Sequence, residues 1–192
     1  PDAQESRGLG DVYKRQNIIS VQPENLLICF RFSKIVSDFI VSAIKITINE
    51  YTIKSIKADD PVWFGCDVGK FFTRQFGVMD TSLFEFDKFY RTSFGMTKSE
   101  RLEYGDSVMT HAMLFTGVDL KSNKPTKWRV ENSWGDKGGN KGYHIMSDDW
   151  FDEYNYEVVV HKDYLTDELN DIFKNAEPIP LKPWDPMGAL AK

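Results

Sequence analysis

The residues in this chain best suited to moving a proton are His111 and Asn132. His111 lies in the run Thr110-His111-Ala112-Met113, and Asn132 in Lys127-Trp128-Arg129-Val130-Glu131-Asn132-Ser133-Trp134-Gly135. A thiol nucleophile needs an imidazole to accept its proton and a polar partner to fix the ring's tautomer and orientation. An amide suits the second task, because its oxygen accepts the imidazole N–H without adding charge. Trp134, two residues past Asn132, can keep water off that hydrogen bond and so strengthen it. His111 therefore reads as a base and Asn132 as its orienter.

The nucleophile itself is missing from the sequence. Cys66 sits in the apolar run Val62-Trp63-Phe64-Gly65-Cys66-Asp67-Val68, without the helix N-terminus that depresses a thiol pKa. Cys29 lies in the apolar run from Leu26 to Ile48. Both read as structural thiols. Gln75 carries no mark of an oxyanion donor, and His144 and His161 have no partners at ligand spacing, so no metal or cofactor is expected. The loop from Gly135 to Gly142 holds four glycines but lacks a Gly-Lys-Ser/Thr ending, so it is not a phosphate cradle.

The elements that must carry His111 and Asn132 are strands. Val108 to Leu120 reads as a long, mostly buried strand bearing His111. Asn123-Lys124-Pro125 turns the chain, and Thr126 to Asn132 returns antiparallel. Val62 to Val68 precedes them as a strand entered through the Asp59-Asp60-Pro61 turn, and Tyr143 to Met146 and Tyr156 to His161 follow. Ser147-Asp148-Asp149 opens a short helix through Tyr154. Asp80-Thr81-Ser82 predicts a helix through Phe89, and Thr166 caps another through Lys174. Lys98 to Gly105 is polar and expected at the surface, and the aromatics from Phe71 to Phe94 are expected in the core or at subunit contacts. Pro178, Pro180, Pro183 and Pro186 rule out a regular element at the end. The last residues are thus an extended arm, apolar enough at Trp184, Met187 and Leu190 to dock.

Residues 1–16 show little apolar periodicity and are expected to be disordered or extraneous. Residues 17–50 admit two readings, an amphipathic helix covering the core or translated non-coding sequence. Arg31, Lys34, Asp38 and Lys45 interrupt the apolar run from Leu26 to Ile48, which argues against a membrane span. The 192 residues suffice for one domain with a real core. A net charge of −5 without a Lys/Arg cluster gives no support to nucleic-acid binding. Two cysteines make no disulfide framework, and the expectation is a reducing, cytoplasmic compartment.

His111 and Asn132-Ser133-Trp134-Gly135 resemble the His and Asn-Ser-Trp-Gly elements of papain-like cysteine peptidases. Pro61 to Lys70, Met109 to Met113, Lys127 to Gly135, Glu157 to Val160 and Trp184 to Ala191 resemble more closely the bleomycin hydrolase branch, over about Ile56 to Lys192. The resemblance implies an α+β fold, the C-terminal β-rich (His/Asn) half of a papain-like peptidase with an extended C-terminal arm. It divides the chain into 1–54, unmatched and expected to be disordered or a gene-model artefact, 55–177, the half-domain, and 178–192, an arm docking in the active-site cleft. It implies a cysteine-type aminopeptidase that removes N-terminal residues from peptides, works as a homo-oligomer (a hexamer), and can trim Lys192 to leave Ala191. In such enzymes the Cys lies about 130–150 residues before the His, and counting back that far from His111 leaves this chain. The fragment alone is then expected to be inactive. The alternative is a non-catalytic pseudo-peptidase half that acts in binding or assembly.

Overall fold

The structure, a computed structural model, describes residues 27–31 and 38–175, with side chains over 48–171 and at 175. The expectations for residues 1–16 and for the arm 178–192 lie outside the described residues. Eight strands form one sheet in the order β1-β8-β2-β5-β6-β7-β4-β3. They are β1 (Leu27–Arg31), β2 (Val62–Cys66), β3 (Phe72–Thr73), β4 (Val78–Met79), β5 (His111–Lys121), β6 (Lys124–Glu131), β7 (Tyr143–Ser147) and β8 (Asn155–His161). Every neighbouring pair is antiparallel except β4 with β7. Among the described residues no helix is long and apolar enough to cross a membrane.

Of the two readings for residues 17–50, the described part contains ordered elements, β1 and most of helix α1 (Asp38–Lys57). Helix α1 runs across position 54 and buries Ile48, Tyr51, Thr52 and Ser55. Its end is specified locally. Asp60 N–H donates to the Ser55 carbonyl (3.1 Å) and Asp59 N–H to that of Ile56 (3.0 Å), with Asp59 left-handed at φ 63°. This is the paired closure that satisfies the last carbonyls of a helix, and Pro61 prevents its continuation. Strand β2 then alternates, with Val62, Phe64 and Cys66 buried and Trp63 turned out. The β5–β6 hairpin turns through Ser122 and Asn123, at φ 51° and 63°. Two successive positive φ values give the turn whose twist matches that of antiparallel strands.

The core lies between the sheet and two helices. Phe64 stacks on Phe115 at 3.8 Å, and Phe115 leads through Trp128 to Phe151. Helix α4 (Asp148–Tyr154) is capped as the sequence predicts, the Ser147 hydroxyl accepting from Trp150 N–H, and it buries Trp150, Phe151 and Tyr154. Trp128 is fully buried and its indole N–H donates to Asp148 at 2.9 Å. Helix α5 (Asp167–Asn175) follows Thr166, whose hydroxyl accepts from Leu169 N–H at 3.4 Å.

Two expectations are corrected. The helix predicted from Asp80 starts only at Phe86, as α2 (Phe86–Tyr90). The Asp80 carboxylate instead accepts from the Ser82 N–H (2.8 Å) and hydroxyl (2.6 Å). That local turn competes with a helix. The polar segment 98–105 contains helix α3 (Lys98–Glu103), fixed by a reciprocal cap between Thr97 and Glu100 and buried at Leu102. The aromatic stretch divides. Phe71 and Phe72 pack on the core, whereas Phe84, Phe86, Phe89, Tyr90 and Phe94 remain exposed.

Candidate active site

His111 opens β5 and stands opposite Cys66 of β2. The approach to it is held from three directions. Thr110 N–H donates to the Cys66 carbonyl at 2.9 Å. Met109 fills the space over Gly65, where an added Cβ would come within 2.0 Å of its sulfur and displace it. The buried Asp67 carboxylate accepts from the Ser107 hydroxyl (2.8 Å), Val108 N–H (3.4 Å) and the Thr110 hydroxyl (3.4 Å). Ser107 has one hydroxyl proton, and Asp67 takes it. The Tyr156 phenol, 2.6 Å from the Ser107 oxygen, must therefore be the donor in that contact. Burial pushes the phenol well above its ordinary range, which keeps its proton in place. A buried carboxylate is tolerated when its oxygens are hydrogen-bonded; here the donors are the residues leading into His111.

Asn132 follows β6 directly and is buried. Its backbone N–H donates to the Gly142 carbonyl at 3.2 Å. Gly142 lies at φ 85°, and a Cβ there would meet the Gly135 carbonyl at 3.0 Å. The glycine-rich loop is thus folded tightly enough to seat Asn132. His111 Nε2 and Asn132 Oδ1 are 2.9 Å apart. With the amide oxygen as acceptor, Nε2 carries the imidazole proton, and Nδ1 is left with a lone pair to accept another. The Trp134 ring lies 4.6 Å from the imidazole at 33°, and the Arg74 guanidinium lies 4.5 Å over Trp134.

The cysteines differ from this pair. Cys66 is fully buried, and burial, with the neighbouring Asp67 charge, pushes its thiol well up. A protonated, inaccessible thiol is no nucleophile at neutral pH, even one opposite His111. Cys29 of β1 is three strands from β5 in the sheet order, about 14 Å at ordinary strand spacing. Gln75 is exposed beyond β3. His144 is buried against the glycine loop, and burial together with the Arg74 charge pulls its pKa down. His161 Nδ1 accepts from Asp163 N–H at 3.3 Å.

His111 and Asn132 come together, then, and the site also holds Arg74 and Asp67, which the sequence did not single out. Asp67 left a signal, a carboxylate directly after the apolar strand that pairs with the His111 strand. Arg74 left none, being one cation among ordinary turn residues.

The sequence matches the Peptidase C1-like family over residues 39–188. It is 53% identical to Aminopeptidase C from Listeria innocua over 140 residues, covering 73% of this chain and 32% of that protein. It is 50% identical to human bleomycin hydrolase over 142 residues, covering 72% and 31%. Among solved structures, PepW from Lactobacillus rhamnosis HN001 superposes with a TM-score of 0.72 at 54% identity, over 74% of this chain and 32% of that one. The chain spans about a third of the length of the curated relatives it matches.

Proposed function

The chain belongs to the Peptidase C1-like family, with the α+β fold of the β-rich papain-like half, and from that premise we propose that it is the His/Asn-bearing part of a cysteine aminopeptidase. The observation that carries the reading is the 2.9 Å contact between His111 Nε2 and Asn132 Oδ1. In the proposed reaction His111 Nδ1 takes the proton of a thiol supplied from outside this chain. The thiolate adds to the carbonyl of a peptide's first residue, and the imidazolium then returns the proton to the departing amine. Water, deprotonated by the same imidazole, releases the acyl group. Asn132 keeps Nδ1 facing the sulfur through both halves. Peptides are the substrates in this reading, and the working enzyme is a cytoplasmic homo-oligomer, a hexamer by family resemblance, whose contacts the exposed aromatics from Phe84 to Phe94 could supply.

The test joins this chain to the portion of Listeria innocua Aminopeptidase C that it does not match. The joined protein should release the fluorophore from free-amino aminoacyl-coumarin substrates but not from N-acetylated ones. His111→Ala should lower kcat/KM by roughly 10²–10⁴-fold. Deleting residues 178–192 should admit N-acetylated peptides, if that arm restricts cleavage to single N-terminal residues. A joined protein that binds peptides but turns over neither substrate would favour the pseudo-peptidase reading. The intact His111 and Asn132 argue against that reading, because a domain relieved of catalysis has no chemical need for either.

A further inference from the structure

We propose that Arg74 is a positioning residue of this site, its guanidinium holding Trp134 against His111 so that the indole covers the His111–Asn132 hydrogen bond. The inference rests on the reading of His111 and Asn132 as base and orienter, and it adds a member that neither the motif nor the family match assigns.

Trp134 is poorly secured by its own segment. Ser133 before it and Gly135 after it are both exposed, and Gly135 is left-handed at φ 77°. An indole on so open a loop needs a partner from elsewhere to hold one orientation. Two contacts supply it, the Phe72 ring at 6.3 Å and the Arg74 guanidinium at 4.5 Å. Of these the guanidinium is nearer and directional, because a cation over an indole face is drawn by the ring's quadrupole, most strongly for Trp among the aromatics. Arg74 enters no ion pair among the described residues, so the indole does not compete with a carboxylate for it.

The backbone brings the two segments into register. Gly77 N–H donates to the Thr73 carbonyl at 2.8 Å, closing the turn that carries Arg74. Gly138 lies against the same turn, where a Cβ would stand 3.3 Å from the Arg74 carbonyl oxygen and 3.8 Å from its Cγ. The glycine loop that follows Trp134 is therefore packed on the turn that supplies the cation. The consequence falls on the hydrogen bond. Its strength depends on a low local dielectric, and the ring 4.6 Å from His111 excludes water only while it stays there.

The experiment follows the imidazole proton in the 192-residue chain by proton NMR in water, its resonance assigned by its loss in His111→Ala. Its exchange with solvent is compared in the unsubstituted chain and in Arg74→Met, Arg74→Lys and Trp134→Ala. Arg74→Met should speed exchange about two- to fivefold, the range of an exposed cation–π contact. Arg74→Lys, which keeps the charge but not the planar stack, should fall between, and Trp134→Ala should exchange fastest. The thermal midpoint of Arg74→Met should match that of the unsubstituted chain, because the side chain is exposed. Unchanged exchange in Arg74→Met beside faster exchange in Trp134→Ala would overturn the role of Arg74 alone. Unchanged exchange in both would overturn shielding by the indole as well. Absence of the proton from the unsubstituted chain would remove the His111–Asn132 bond, and with it the functional reading beneath this one.

Discussion

Replacing Asn132 by alanine isolates what orientation alone contributes to His111. The imidazole would keep its place on β5 but lose the acceptor that fixes its tautomer. In the joined enzyme described above, Asn132→Ala should cost roughly tenfold to a hundredfold in kcat/KM, less than removal of the base itself. Cys66→Ala should leave turnover intact, because the thiol is buried and held protonated. Its cost should appear only in thermal unfolding, at about 1 kcal/mol. His144 carries a pH dependence whose sign is fixed by burial. Its folded pKa lies below the ordinary histidine value of about 6.5. Above that value both states are neutral and nothing is lost. As the pH falls below it, the unfolded chain binds a proton that the folded one refuses, so stability declines until the folded pKa is reached. The thermal midpoint should therefore drop from pH 7 to pH 5, and His144→Gln should flatten that slope. The His111–Asn132 pair was legible because the two residue types and the turn between them are all written in one short stretch. Arg74 was not, because its meaning depends on a ring 60 positions away in sequence, and no local pattern encodes that meeting.

Where sequence and structure agree among the elements, a local rule and the core demanded the same thing. The β5–β6 hairpin forms as expected, although its turn is Ser122–Asn123 rather than Asn123-Lys124-Pro125, Lys124 and Pro125 already lying in β6, and α4 combines a Ser147 cap with an apolar face on the sheet. Where they part, a local preference was misjudged. Asp80-Thr81-Ser82 predicts a helix start, yet the Asp80 carboxylate closes a turn on Ser82. The polar character of 98–105 predicts only a surface segment, although threonine followed three residues later by glutamate is itself a helix-start signal. Thr97→Ala should destabilise α3 by about 1 kcal/mol, seen as faster amide exchange across Lys98–Glu103. Asn123→Val places a β-branched residue at φ 63° and should cost about 1–2 kcal/mol in unfolding free energy. The fold class was accessible because strand periodicity and the Asn-Ser-Trp-Gly run pointed to the same architecture. For the α1 segment the sequence leaves a helix and translated non-coding sequence both open, since its apolar residues fall on many sides and show no clean stripe before Ile48.

At the scale of the whole molecule the sheet and its covering helices enclose a core, but the segment from Phe84 to Phe94 faces outward. Phe89 is 78% exposed and Phe94 60%, and both rings lie against the exposed Tyr90, so they form one apolar cluster at the surface. Phe89→Ser combined with Phe94→Ser should reduce self-association in light scattering while leaving the thermal midpoint unchanged, because neither ring belongs to the core. The hairpin has a separate bearing on how the molecule can be handled. His111 is the first residue of β5 and Lys121 the last, so the turn at Ser122–Asn123 stands ~33 Å along the strand from the imidazole. A peptide tag or fluorophore spliced into that turn would ride at the far tip of the ladder, leaving the His111 end of the hairpin untouched.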